Sequence, residues 1–131
     1  MSITINDLVT LAGQLAGGQS EPEWRSAASR AYYAAFHKAL EVADGCLPPN
    51  PVAIGEHERL TERLKSHGVK GRSLAYVQID YKRIRTRADY ELSMGFSQAD
   101  AVDLIRACTA FFNQADTFLQ HVNSQKQAAK P

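Results

Sequence analysis

The sequence predicts an all-α protein, an up-and-down antiparallel bundle of about five helices. Apolar side chains recur at steps of three and four residues in five segments of the 131-residue chain. No segment alternates apolar and polar residues with the two-residue period of a strand. We therefore expect one helical domain over residues 1–124, followed by a polar and frayed tail over residues 125–131.

The first two helices are separated by glycines and a capping pattern. The first is predicted from Asn6 to Ala16 and stops at Gly17-Gly18. Ser20-Glu21-Pro22-Glu23 has the form of a capping box, with proline tolerated in the first turn. The second helix is then expected to run to about Asp44, where Gly45 supplies a left-handed end before a proline-rich stretch.

The third and fourth helices are predicted from shorter patterns. The third spans Glu56 to His67, ended by Gly68 and Gly71. Ser73 is expected to cap the fourth helix. The stripe by which this helix faces the core contains Leu74, Val77, Tyr81, Ile84 and Ala88.

The fifth helix has the clearest sequence pattern. Gly95 interrupts the chain, and Ser97-Gln98-Ala99-Asp100 forms a second capping box that starts the helix again. Its apolar face is predicted to contain Ala101, Leu104, Cys108, Phe111, Ala115, Phe118 and Val122.

Composition limits the classes of function. The formal net charge is +1, which argues against a protein that coats nucleic acid through a broad basic surface, so any contact with nucleic acid must be local. Two isolated cysteines, Cys46 and Cys108, and the lack of a signal peptide favour a reduced cytoplasmic setting. No apolar run approaches the roughly 20 residues that a membrane span needs.

One candidate constellation lies in the second helix. The stretch Ser29-Arg30-Ala31-Tyr32-Tyr33-Ala34-Ala35-Phe36-His37 places Arg30, Tyr33 and His37 along one line of the helix surface, where polar groups can converge on a ligand. Tyr32 and Tyr33 are equally typical of amphipathic residues at the edge of a helical core.

The second constellation lies at the end of the fourth helix. The run Lys82-Arg83-Ile84-Arg85-Thr86-Arg87 has four cations in six residues and is followed by Asp89 and Tyr90. Guanidinium groups suit phosphate because they donate two parallel hydrogen bonds. A solvated face, or ion pairs with acidic residues of neighbouring helices, would give the same sequence pattern.

The sequence offers little sign of other chemistry. Its histidines and cysteines have no zinc-ligand spacing, so no metal and no cofactor are predicted. His57 lies between Glu56 and Glu58, two carboxylates that should favour its protonated form, and we expect it at the surface.

With both constellations in view, the chain resembles the HEPN superfamily of small helical domains found in bacterial and archaeal toxin–antitoxin and defence systems. The resemblance spans nearly the whole chain and depends on two motifs: residues 29–37, and Arg87-Ala88-Asp89-Tyr90. It implies a helical bundle that forms a homodimer, in which two copies of the fourth-helix motif face a shared cleft. Many members are metal-independent endoribonucleases.

Active HEPN members carry an arginine followed, after four to six residues, by a histidine near the end of the fourth helix. This chain has no histidine there. The literal match is Arg30 with His37, which lies in the second helix. RNA cleavage by the 2′-hydroxyl needs a proton acceptor and a cation, so His37 or Asp89 would take the proton and arginines would hold the developing charge.

The resemblance leads to a set of candidate roles for an RNA-binding homodimer. The predicted catalytic residues are Arg85, Arg87, His37, Asp89 and Tyr90. The predicted RNA phosphate ligands are Arg30, Lys82 and Arg83, with Tyr33 lining the cleft. Two alternatives stay open: a HEPN domain that binds nucleic acid without cleaving it, and a subunit that binds a partner protein such as a nucleotidyltransferase-type antitoxin.

Overall fold

The computed structural model describes residues 2–129, and in that range it contains five α-helices and no strands. They are α1 (Ile5–Ala16), α2 (Glu21–Cys46), α3 (Glu56–Lys65), α4 (Gly68–Tyr90) and α5 (Gln98–Ala128). The helices pack against each other as a bundle, which confirms the predicted fold class. None of the helices described is long and apolar enough to cross a membrane.

Helix α2 is the centre of the bundle, because it packs against every other helix. It contributes a row of buried alanines that lets its neighbours approach closely. Across from them lies the predicted apolar face of α5, and all seven of its members are buried. On α4, Leu74 and Ala88 of the predicted stripe are buried and Val77, Tyr81 and Ile84 pack against the core at its edge.

The two capping boxes have different outcomes. At α5 the prediction is confirmed, since Ser97 and Asp100 exchange both hydrogen bonds. At α2 the Ser20 side chain makes no capping bond. Its hydroxyl donates to Glu23 Oε1 at 2.7 Å, and the same carboxylate accepts the Gln19 backbone N–H at 3.3 Å. The expected pair of residues is thus in contact, but Ser20 is a donor to Glu23 rather than an acceptor for the helix.

The predicted end of α2, at about Asp44, is two residues early. Gly45 lies inside the helix, and its φ is not positive. The helix ends at Cys46, and Leu47 is extended with φ −120° and ψ 153°. Leu47 precedes Pro48, whose ring disfavours helical backbone in the residue before it. Proline therefore ends this helix, not glycine.

The boundary between α3 and α4 also differs from the prediction. Helix α3 ends at Lys65, and Gly68 is the first residue of α4, with φ +72°, so Ser73 lies inside α4 and does not cap it. Gly71 is buried within α4, where a Cβ would collide with the carbonyl oxygen of Leu64. Gly71 thus permits a close approach of two helices rather than ending one.

The polar residues 125–128 continue α5 to Ala128. Lys126 Nζ in this segment donates to the carbonyl oxygen of Cys46 at 2.6 Å. Residues 130 and 131 of the predicted tail lie outside the described residues.

Two buried arginines hold the ends of the helices in place. Arg25 of α2 donates through Nη1 to the carbonyl oxygens of Ala88 at 2.9 Å and Arg87 at 3.2 Å, at the end of α4. It also donates to the carbonyls of Glu91 and Met94 in the following loop. Helix carbonyls at a C-terminus lack partners of their own, so Arg25 fixes the direction in which the chain leaves α4.

Arg63 of α3 likewise donates to backbone carbonyls at the end of α2. It donates to the carbonyl oxygens of Leu47 at 3.3 Å and Pro48 at 3.1 Å, and pairs with Asp44 at 2.8 Å. These bonds connect α3 to the far end of α2 across the proline-rich loop. They help to hold α3 against the bundle.

Candidate functional site

The second-helix motif and the end of the fourth helix meet in one group of side chains. We call it the tyrosine–arginine cluster. Its members are Ser29, Tyr32 and Tyr33 of α2 and Arg85, Asp89 and Tyr90 of α4. The two segments that were singled out separately in the sequence are therefore in contact in the folded protein.

Arg85 is the centre of the cluster. Its guanidinium carbon lies 5.4 Å from the ring centroids of Tyr33 and Tyr90, and 5.7 Å from that of Tyr32. These are distances at which a cation is attracted to an aromatic face. Only 14% of the Arg85 side chain is exposed. Burial disfavours the charge, but the nearby Tyr33 and Asp89 outweigh it and raise the pKa of Arg85.

Asp89 holds Arg85 in position. One carboxylate oxygen, Asp89 Oδ2, accepts from Arg85 Nε at 3.0 Å and from the Ser29 hydroxyl at 3.1 Å. The four-residue spacing of Arg85 and Asp89 places them on one face of α4, and Ser29 reaches them from α2. Because the carboxylate is already engaged by two donors, its contacts fit a positioning role better than that of a proton acceptor.

Two further cations border the cluster and are not neutralised. The Arg30 guanidinium lies over the Tyr33 ring at 5.3 Å and reaches the Ser29 hydroxyl at 3.4 Å. Within residues 2–129, neither Arg30 nor Lys82 has a salt bridge. Lys82 lies three residues before Arg85, a spacing that places both on one side of α4. Together with Arg85, these two bordering cations outnumber the one carboxylate of the cluster.

The remaining arginines of the 82–87 run have other partners. Arg83 has a side chain that is 74% exposed and pairs with Asp80 of its own helix at 3.3 Å. Arg87 pairs with Asp100 at the start of α5 at 3.3 Å and lies over the Phe96 ring at 5.2 Å. The basic run thus divides: Lys82 and Arg85 face the site, whereas Arg87 links α4 to α5.

His37 lies in a different environment from its predicted partners. It is exposed, and it lines a groove with Ile5 and Leu8 of α1 and with Ile3, which precedes that helix. Of the three residues predicted to form a line on α2, Tyr33 belongs to the cluster and Arg30 borders it. His37 has no hydrogen bond or ion pair with any cluster residue.

The histidine that reaches this region is His57 of α3. Its Nδ1 lies 2.6 Å from the Tyr32 hydroxyl, and the two rings lie 6.0 Å apart. Desolvation, together with the charges of Lys82 and Arg85, lowers its pKa to about 4. The expectation of a protonated surface histidine is therefore wrong, because burial and two cations outweigh the adjacent Glu56 and Glu58.

The position of Tyr90 depends on a residue that the sequence did not indicate. Arg25 binds the carbonyls that end α4, and Tyr90 is the last residue of that helix. Tyr90 is 69% exposed, followed by the exposed Leu92 and Met94. Neither Arg25 nor His57 belongs to a motif. The bonds from Arg25 to the end of α4 and from His57 to Tyr32 join residues 25 to 69 positions apart, so no local signal predicts them.

Comparison of the chain with protein-family models, with curated proteins and with solved structures finds no match. Over residues 2–129 the structure establishes a small all-α bundle of five helices. Its defining local feature is the cluster around Arg85.

Proposed function

We propose that this protein is a HEPN-type domain that binds single-stranded RNA at the tyrosine–arginine cluster and acts as a homodimer. The observation that carries the proposal is the Arg85 guanidinium set among three tyrosine rings. Arg30 lies over one of these rings and Lys82 is three residues from Arg85 on α4, and neither has a salt bridge within residues 2–129. Sites for single-stranded nucleic acid combine these two features, aromatic rings for the bases and cations for the backbone.

The exposure of the rings supports this proposal. Tyr90 is 69% exposed at the end of α4, and Tyr33 is partly exposed, so both rings can be reached by a base. Tyr32 is buried, so its ring contacts Arg85 but is not accessible to a base. Because stacking is available to every base, this arrangement favours binding with little sequence preference.

The charge distribution supports a local contact. With a net charge of +1, the whole chain has no general attraction for a polyanion. Arg30 and Lys82 provide two cations without acidic partners in the described part of the chain, beside the buried charge of Arg85. A short stretch of backbone with two or three phosphates matches that number of cations.

The outer face of α4 supports the dimer. Val69, Tyr76, Arg83 and Tyr90 follow each other at steps of seven residues, and the three apolar members are 73%, 56% and 69% exposed. Positions at this spacing share one side of a helix. Such a face fits a twofold pairing of two α4 helices. Tyr90 belongs to both this face and the cluster, so the RNA site would border the interface.

Replacing Tyr76 by glutamate is expected to convert the dimer to a monomer, with a loss of at least about ten-fold in self-affinity, because the twofold axis brings like charges together. Light scattering at several protein concentrations measures this change. Tyr76→Phe, which retains the ring, should remain dimeric. A wild-type protein that is monomeric at micromolar concentration would contradict the dimer.

RNA binding is tested with a fluorescent RNA of about ten nucleotides at several salt concentrations. We expect an affinity that falls with salt, with a slope of roughly 0.7 for each phosphate contact in a log–log plot. Arg30→Gln should reduce the slope by about one contact. Arg106→Gln is the matched control, because Arg106 is exposed on α5. No binding of the wild type at low salt would refute the proposed function.

Endoribonuclease activity stays a prediction from the resemblance. His37 lines a separate groove and Asp89 is engaged by Arg85 and Ser29, so the contacts support binding more directly than proton transfer. Incubation with the same RNA in EDTA tests metal-independent cleavage. Products from the wild type that disappear in His37→Ala but not in Asp89→Ala would identify the proton acceptor.

A nucleotidyltransferase-type antitoxin as partner also stays a prediction. It would bring an acidic surface to the same cations. In a pull-down, competition between such a partner and RNA would be the expected result.

A further inference from the structure

The bond between Tyr32 and His57 determines which nitrogen of the imidazole carries its proton. Tyr32 is 3% exposed, and in the described part of the chain its hydroxyl has this bond and no other. A buried hydroxyl must give its proton to an acceptor. Burial raises the pKa of Tyr32, so the hydroxyl keeps that proton and donates it to Nδ1 of His57.

The other ring nitrogen then carries the hydrogen. A neutral imidazole has one N–H, and when Nδ1 accepts, that N–H is at Nε2. The buried side-chain nitrogen and oxygen atoms of residues 2–129 that lack a partner are Gln78 Oε1 and Arg87 Nε. Within the described part of the chain, Nε2 of His57 has no partner either, and since it is not among these buried atoms, it is in contact with solvent.

The surroundings of this N–H are cationic. The guanidinium carbon of Arg85 lies 5.7 Å from the ring of Tyr32, whose hydroxyl is bonded to His57. Desolvation, followed by the charges of Lys82 and Arg85, lowers the pKa of His57. Lys82 has no salt bridge in residues 2–129, and the imidazole adds a directed donor to these charges. A ligand that meets these groups must accept hydrogen bonds and bear negative charge.

We propose that His57 is a phosphate ligand of the RNA site, a neutral imidazole whose Nε2–H donates to a backbone phosphate oxygen beside Lys82 and Arg85. Tyr32 is its positioning residue, because it selects the tautomer. This inference rests on the RNA binding proposed above. It gives His57 the role of a fixed donor, and a nitrogen that already carries a proton does not act as the proton acceptor of a cleavage reaction.

The tautomer is tested first, without RNA. NMR correlation of the imidazole nitrogens with the ring protons near neutral pH should show His57 Nδ1 as the unprotonated nitrogen and Nε2 as the protonated one. Tyr32→Phe removes the donor and should shift His57 toward a mixture of tautomers. A wild-type His57 that is protonated at Nδ1, or charged at neutral pH, would overturn the inference.

Two isosteric variants then test the contact with RNA. Asparagine places its carbonyl where Nδ1 accepts from Tyr32 but lacks a donor at the ε position, whereas glutamine can place an amide donor there. With an RNA of about ten nucleotides, His57→Asn should weaken binding about ten-fold and His57→Gln less than about three-fold. Thermal unfolding of both variants checks that they fold.

The outcomes separate this inference from the function on which it rests. If the wild type binds RNA and His57→Asn binds equally well, His57 is not a phosphate ligand and the RNA-binding proposal stands. Equal losses in His57→Asn and His57→Gln would assign the effect to packing and overturn the donor role. If the folded wild type binds no RNA, the proposed function fails and this inference fails with it.

Discussion

Replacing Arg25 by alanine is expected to lower the free energy of unfolding by about 3 kcal/mol, because it removes the donor from a set of buried carbonyls. Arg25 is 8% exposed and bonds to carbonyls at the end of α4 and in the loop after it. Urea denaturation followed by circular dichroism measures the change in the free energy of unfolding.

The matched control is Arg106→Ala. Arg106 is also an arginine, but it is exposed on α5 and has no salt bridge within residues 2–129. Its replacement should change stability by no more than about 0.5 kcal/mol. Similar losses in the two variants would show that the carbonyl contacts of Arg25 do not stabilise the fold.

Arg25→Ala also has a consequence for the site. The loop after α4 is held to α2 by Arg25 and by Glu21, whose carboxylate accepts the backbone N–H of Phe96 at 3.2 Å. That N–H and the Arg25 side chain lower the pKa of Glu21. Without Arg25, the last turn of α4 loses its partners, and Tyr90 lies in that turn. We therefore expect weaker RNA binding even at temperatures where the variant is folded.

The parts of the fold that were predicted correctly are those governed by local periodicity. The face of α5 follows from three- and four-residue steps over a long helix, and the Ser97 capping box acts within one turn. Each of these features depends on residues close together in the chain. These features can therefore be predicted without knowing how the helices pack.

The wrong boundaries arose where glycine has two possible roles. Gly45 and Gly71 were interpreted as helix ends, but Gly45 is helical and Gly71 allows α4 to approach α3. Glycine is favoured both at a left-handed helix end and at a close approach of two backbones. The sequence alone does not distinguish these cases, whereas Pro48 acts on its predecessor in only one way.

Part of the site was predicted, because that part depends on residues close together in the chain. Arg85, Asp89 and Tyr90 lie within two turns of one helix, and Arg30 and Tyr33 within one turn of another, so each group was visible as a local pattern. The choice between His37 and His57 depends on where the proline-rich loop brings α3. That position is set by contacts such as those of Arg63 with the end of α2, which are distant in sequence.

Replacing Arg85 by lysine is expected to weaken RNA binding about ten-fold although the charge is retained. The guanidinium plane contacts three tyrosine rings while Nε donates to Asp89. An ammonium group is a compact charge that cannot contact the three rings and keep this bond in the same geometry. Fluorescence anisotropy with the short RNA measures the change.

The control for this experiment is Arg106→Lys, at an exposed position of α5. If general positive charge attracts the RNA, both variants should bind like the wild type, since neither changes the net charge. If the planar group among the rings determines the affinity, Arg85→Lys alone should lose binding, with its salt dependence unchanged because the count of cations is the same.

If Arg85→Lys lost binding and its melting temperature also changed, Tyr33→Leu would distinguish the loss of ring contacts from a loss of stability. This variant removes one of the rings in contact with Arg85 but none of the hydrogen bonds of Arg85, and it should weaken RNA binding without affecting the Asp89 pair.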